Sequence, residues 1–281
     1  MHKHLLGTLA AALLLTAPAA AADWPYVQSH RGGSIRDGVA TFAEESMPGF
    51  RSAWKDEHTV LELDVKLSKD RVPVVIHDST LDRTTVCTGT VASYTWADLK
   101  AKCPSDVLGI GSITKKADPP VPMTKLSVLL KYAKKAGAFL NLEIKNLPGD
   151  DDFDTSAAFA TTVCDEILRS KFPIDHLIVQ SFYPPNLDVA EQEIPGVQTA
   201  FLTYAPEPAE AIATAARGYE WWSPGGVPTG QVVTLAHSLG LKVVPWTIDN
   251  TADVQAVKAS GADAVITNDP VMAKKALASG K

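Results

Sequence analysis

Short β-branched or apolar runs alternate with stretches of helical spacing along most of the chain. Nine runs read as strands: 26–30, 60–66, 74–77, 138–145, 177–181, 198–202, 219–223, 242–247 and 264–268. Eight helical segments fill the gaps, at 44–55, 126–137, 155–170, 186–193, 208–217, 229–239, 252–260 and 270–278. Strand–helix alternation predicts a parallel sheet, and eight of each predicts an α/β fold of the (β/α)8 TIM-barrel type. The surplus strand has a local explanation. The polar turn Ser68-Lys69-Asp70-Arg71 separates 60–66 from 74–77, so these two are expected to pair as a hairpin. A turn centred near Lys69 and Asp70 would set His77 opposite Glu62. The segment 79–123 holds Cys87, Cys103 and Pro119-Pro120-Val121-Pro122 with little periodicity, and reads as a loop insertion after the second strand and its hairpin.

The amino terminus has a different pattern. A basic start at His2-Lys3-His4, an apolar run over 5–17 and the small residues 18–22 have the shape of a secretory signal peptide. The run is shorter than the roughly 20 apolar residues that span a bilayer. Residues 23–281 are therefore expected to form one barrel, exported to the periplasm or secreted. The net charge is −6, and −7 without residues 1–22, which carry one lysine and no acid. An acidic balance argues against nucleic acid or an anionic membrane as a main partner. In an oxidising compartment Cys87 and Cys103 could bridge, leaving Cys164, at helical spacing among apolar neighbours, as a buried thiol.

The chemistry gathers at strand ends. Residues i and i+2 of a strand share a face, so Glu62 and Asp64 present two carboxylates together, and Glu143 on another strand can supply a third. Hard divalent cations such as Ca2+ or Mg2+ take oxygen sets of this kind. The plainer alternative is a set of salt bridges to Lys66 or Lys145. His30 and His77 each close an apolar run and precede a charged residue, and two imidazoles across a scissile bond can divide general acid and base work. Arg31 and Lys145 add fixed positive charge suited to phosphate oxygens. Phe182 and Trp246, also at strand ends, can wall the same pocket, although core packing is the default for an aromatic there.

These residues resemble the motifs of the glycerophosphodiester phosphodiesterase family. They read, in order, His30-Arg31-Gly32, Ala43-Glu44-Glu45-Ser46, Glu62-Leu63-Asp64, His77-Asp78, Glu143-Ile144-Lys145 and Trp246-Thr247, followed by the last-strand sequence GADAVITNDP at 261–270. The resemblance implies a TIM-barrel hydrolase that cleaves small glycerophosphodiesters to glycerol 3-phosphate and an alcohol. By carry-over, Glu62, Asp64 and Glu143 hold the cation, and His30 and His77 are the acid and base. Arg31 and Lys145 grip phosphate, and Glu44 supports the site from a helix start. Ala43 and Glu45 depart from the family's proline and asparagine. Two other readings compete: a phospholipase D of the sphingomyelinase type acting on intact lipids, which needs an exposed apolar rim, and a barrel that binds without catalysis.

Overall fold

The computed structural model describes residues 24–279; the expected signal peptide at 1–22 lies outside the described residues. Eight parallel strands form the barrel: β1 (Val27–Ser29), β2 (Val60–Leu67), β3 (Leu140–Ile144), β4 (Leu177–Ser181), β5 (Gln198–Thr203), β6 (Trp221–Pro224), β7 (Lys242–Val243) and β8 (Val265–Thr267). They pair in sequence order from β1 to β7, and β8 pairs β1. Backbone bonds close the ring between β7 and β8, Asp263 N to Val243 O at 2.9 Å and Ile266 N to Pro245 O at 3.0 Å. The seventh strand is shorter than its apolar run because Pro245 has no N–H to give a ladder.

Each strand divides its side chains between two faces. Leu61, Leu63, Val65, Leu140, Leu142 and Ile144 point outward into the layer packed beneath the helices, where they meet Leu126, Leu129, Val163 and Ile167. A second outward cluster joins Val27, Trp222, Val243 and Val265 to the last helices. The barrel interior is filled by Ile178, Ala200, Trp221, Val244, Ala264 and Ile266. Above that apolar plug the inward positions are polar, and alternation on β2 and β3 puts Glu62, Asp64 and Glu143 there.

Two connections shape the mouth. Strand β1 ends at Ser29, so it covers only the lower part of β2, through Gln28↔Val60 and Ser29↔Leu61. The upper edge of β2 is taken by the antiparallel strand Pro73–Val75, which gives it backbone partners that would otherwise be left open. The register Val65↔Val75, continued by Ile76 N to Asp64 O at 3.0 Å, brings His77 level with Leu63 rather than Glu62. The one-residue difference comes from a turn closed by Ser68 N to Val72 O at 3.1 Å, which is centred on Asp70.

Among the described residues there are nine helices. The first, α1 (Met47–Lys55), is capped by the Ser46 hydroxyl, which accepts from Gly49 N at 3.3 Å, and has Pro48 in its first turn. Glu44 thus precedes the helix instead of starting it. The stretch 79–123 is more than a loop. It folds into helix α2 (Trp96–Lys102) and a hairpin of Ser105–Ile110 with Ile113–Val121, around a small core of Val74, Ile76, Leu81, Val91 and Leu99. Its hairpin faces solvent on nearly every residue, so neither a helical nor an alternating pattern marks it in the sequence.

Cys87 and Cys103 are bridged, and Cys164 is buried in helix α4 (Ala158–Ser170). The bond closes a loop that chain-entropy arguments value at about 3 kcal/mol. The unreduced, denatured protein is therefore expected to titrate one thiol per chain, rising to three after reduction; three before reduction would contradict the bridge.

Candidate active site

The His-Arg-Gly segment leaves β1 through a single tight turn. Arg31 lies in the left-handed region at φ 51°, followed by Gly32 at 80° and Gly33 at 62°. A Cβ on Gly32 would stand 3.1 Å from the Phe50 ring, a tight contact added to a backbone conformation that disfavours any side chain. The strained turn aims the Arg31 N–H at Glu62 Oε2, 2.7 Å away, and brings its guanidinium to Asp64 Oδ2 at 3.3 Å and Glu44 Oε1 at 3.2 Å.

Register completes the acidic group. Asp64 is paired directly with Glu143, and Gln180 on β4 is paired with Glu143 from the other side. One oxygen from each of Glu62, Asp64 and Glu143 lies within 4.8 Å of the other two, and all three residues are buried. Asp64 Oδ2 and Glu143 Oε1 lack a hydrogen bond although both are out of solvent. Their nearest partners are the charges of Arg31 and Lys145, and a buried cluster of carboxylate oxygens from three residues is what a hard divalent cation takes, so the residues fit such an ion. Lys145 contributes charge from the same face, 3.1 Å from Glu143 and 3.9 Å from Asp64.

The two histidines are held in the same way. His30 Nδ1 lies 2.6 Å from Asn268 Oδ1, and the Asn268 amide nitrogen is itself donated to Asp249 at 2.6 Å. Asn268 can therefore only accept, which places the proton on His30 Nδ1 and leaves Nε2 as the bare nitrogen. His77 Nδ1 donates to Asp78 at 2.6 Å, and its Nε2 accepts from Lys145 Nζ at 3.0 Å. Burial, helped by the Arg31 charge, pushes His30 down to about 3. Desolvation also lowers His77, against the pull of Asp64 and Asp78. Both rings are neutral at neutral pH; Nε2 of His30 is open to take up a proton, while Nε2 of His77 is held by Lys145.

Burial and the Asp64 charge raise Glu62 well above the usual carboxylate range. Burial likewise lifts Glu143, to about 8, with Lys145 opposing and Asp64 adding to the rise. Asp64 moves the other way: burial works against its charge, but His77, Lys145 and Arg31 outweigh it and hold it low. Glu45 is raised well above its ordinary value by burial and by Asp64 and Glu62, and its Oε1 accepts the Asp64 N–H at 2.9 Å.

A pocket of about 300 Å3 takes in His30, Arg31, Glu62, His77, Glu143, Lys145, Phe182 and Trp246. Asp64 lies beneath this lining. Glu44 does not reach it either; it is buried behind Arg31 in the stretch before α1, which corrects its expected place at a helix start. Several residues were not singled out from the sequence. Arg83 of the insertion binds Glu44 at 2.6 and 2.8 Å and Asp78 at 2.6 Å, linking the insertion to the His77 support. Gln180 donates to Glu62 at 2.7 Å and accepts from Asn141 at 3.0 Å. Tyr204 stacks on Phe182. Gln180, an amide inside the apolar run LIVQS, carried a legible signal; Arg83 and Tyr204 carried none.

Comparisons with known proteins agree with this geometry. The family model for the Glycerophosphoryl diester phosphodiesterase family matches residues 30–272. A protein of Bacillus altitudinis named glycerophosphodiester phosphodiesterase is 27% identical over 88% of this chain and 96% of its own. Two solved structures share the fold. One, from Silicibacter pomeroyi DSS-3, superposes with a TM-score of 0.78 at 24% identity, over 92% of this chain and 94% of that one. The other, an Oleispira antarctica phosphodiesterase in complex with the product sn-glycerol-3-phosphate, gives 0.72 at 23% identity over 91% and 97%.

Two outcomes are expected from the site electrostatics. Glu62 and Glu143 bind protons in the folded state at pH values where the unfolded chain has lost them, so stability of the metal-free protein falls as pH rises toward about 8. Saturating Ca2+ or Mg2+ should raise the melting temperature more at pH 8.5 than at pH 6; a shift independent of pH would contradict the cluster's role. Separately, Arg83→Met should lower turnover roughly tenfold, with Arg83→Lys recovering part of it. Removing the cation beside Asp78 should also raise the His77 pKa and move the acid limb of the pH–rate profile upward.

Proposed function

The chain belongs to the glycerophosphoryl diester phosphodiesterase family, and on that premise we propose that it hydrolyses glycerophosphodiesters to glycerol 3-phosphate and an alcohol. One observation carries this reading: two neutral histidines, two permanent cations and the carboxylates Glu62 and Glu143 line a single pocket, with Asp64 beneath them completing a trio fit for a cation. The Oleispira antarctica relative, solved with sn-glycerol-3-phosphate as product, supports the choice of product.

In this reading Arg31 and Lys145 bind the phosphate oxygens and offset the charge that grows on them as the phosphorus is attacked. One imidazole takes the proton of the attacking hydroxyl, which is supplied by the glycerol carbon next to the ester, and a cyclic phosphate results. The other imidazole takes up a proton from solvent and passes it to the departing alcohol oxygen, so that one ring ends the first stage protonated and the other neutral. The second stage runs in reverse, with water attacking the cyclic phosphate and the roles of the two rings exchanged. A Ca2+ or Mg2+ ion held by Glu62, Asp64 and Glu143 would supply Lewis-acid charge beside the reacting oxygens. Asp78 and Asn268 keep the two rings in the tautomer the task needs. Phe182 and Trp246 wall the pocket on its apolar side.

The substrate envisaged is a small molecule. No helix of the described residues is long and apolar enough to cross a membrane. Tyr94 and Trp96, the aromatics of the insertion, pack against its own core instead of forming an apolar rim for intact lipid. Export before action is part of the proposal, with residues 1–22 as the cleaved signal, and the Cys87–Cys103 bond supports an oxidising compartment.

The deciding assay incubates the mature protein with a panel of glycerophosphodiesters and Ca2+ or Mg2+, and measures glycerol 3-phosphate. Release should be abolished by excess chelator, and His77→Ala should reduce kcat by roughly two orders of magnitude. Full activity in excess EDTA overturns the metal assignment, and unchanged turnover in His77→Ala removes its acid–base role. Cleavage of sphingomyelin vesicles in preference to these diesters would replace the substrate class.

A further inference from the structure

The pocket has two unlike sides, and the aromatic one is built more fully than a wall of the core requires. Phe182 and Tyr204 stack at 4.7 Å with their planes 23° apart, and Trp246 meets Phe182 edge-on at 5.3 Å and 87°. Tyr204 and Trp246 then stand 6.5 Å apart with planes at 65°, as the two sides of an open corner. Tyr204 is 79% exposed, the most exposed of the large apolar and aromatic side chains. An exposed tyrosine ring beside a pocket leaves apolar surface in water that a stacked ligand would cover.

The corner offers ring faces, and its hydrogen-bonding groups are hydroxyls, those of Tyr204 and Thr247, with no carboxylate of its own. The Trp246 indole N–H is already given to Ser223 O at 2.9 Å, so this ring presents only its π-surface. The carboxylates lining the pocket, Glu62 and Glu143, belong to the acidic triad. The corner is nevertheless adjacent to the phosphate grip, because Lys145 Nζ lies 5.7 Å from the Phe182 ring centroid. A diester whose phosphate sits on Arg31 and Lys145 can therefore reach Tyr204 and Trp246 with a headgroup joined through a short spacer.

We infer that the Tyr204–Trp246 corner is a headgroup subsite for a quaternary ammonium, so that glycerophosphocholine is the favoured diester; this rests on the phosphodiesterase reading above. A trimethylammonium carries positive charge attracted by ring faces, has methyl groups that pack on them, and has no N–H to satisfy. A primary ammonium, as in the ethanolamine diester, holds its water more tightly and would exchange part of it for ring faces and two neutral hydroxyls, a poorer return for its three donors. A glycerol headgroup has the same difficulty with its hydroxyls.

The test compares kcat/KM for glycerophosphocholine, glycerophosphoethanolamine and glycerophosphoglycerol in the wild type, Tyr204→Ala and Tyr204→Phe. The wild type should favour the choline diester roughly tenfold. Tyr204→Ala should collapse that ratio toward one, chiefly through KM, and Tyr204→Phe should keep it. Equal efficiency on all three diesters in the wild type, or an equal loss on all three in Tyr204→Ala, overturns the subsite. Absence of hydrolysis of any diester overturns the phosphodiesterase reading, and an activity-free arm then still judges the corner. Phosphocholine should quench tryptophan fluorescence of the metal-loaded protein at lower concentration than phosphoethanolamine, and indifference between them counts against the corner.

Discussion

The register of β2 against β3, which sets Asp64 beside Glu143, is the constraint from which the rest of the site follows. Two carboxylates on neighbouring strands, with Glu62 two residues away, cannot all keep their charge in a desolvated barrel mouth without compensation. The fold answers in several ways at once. Arg31 is swung in on a left-handed turn, Lys145 is placed on the same face two residues past Glu143, and protons are retained on some of the acids until a cation can replace them. The cluster is thus unstable as a purely structural feature and coherent as a binding site.

The same requirement explains the insertion. Its anchor to the barrel mouth is Arg83, whose guanidinium satisfies Glu44 and Asp78 together. Glu44 in turn holds Arg31 against Asp64, and Asp78 holds His77 toward Lys145. A cation from outside the barrel proper therefore stabilises both Arg31 and one histidine. The hairpin of the insertion reaches the first loop as well, with Gly109 N donating to Phe42 O at 2.8 Å. The disulfide and small core of the insertion preserve the geometry of that anchor.

The barrel was legible because its signal is redundant: strand and helix patterns recur, and an error at one boundary does not alter the period. The metal-fitting carboxylates were legible because Glu-x-Asp and Glu-x-Lys on apolar strands state their facing directly. What escaped was of two kinds. The hairpin register depended on one residue of turn length, which moved His77 from Glu62 to the level of Leu63. The insertion and Arg83 depended on contacts between distant segments, and a solvent-facing hairpin leaves no periodic trace. Glu45 belongs to a third kind, since its departure from asparagine was visible while its consequence turned on burial.

Strain and openness fall on opposite sides of the pocket. On the polar side His30, Arg31, Gly32 and Gly33 are fixed by backbone geometry that few sequences tolerate, and the groups there are oriented before any ligand arrives. On the aromatic side Tyr204 is exposed and rests mainly on its stacking with Phe182. Chemistry common to any phosphodiester needs the first kind of rigidity, because displacement of an imidazole or a cation alters the transition state. Recognition of the alcohol only needs a surface of matching character. A barrel can therefore keep one catalytic half on β1 to β3 and vary the other through the loops after β4, β5 and β7, where substitutions at Tyr204 leave the acidic triad and its register untouched.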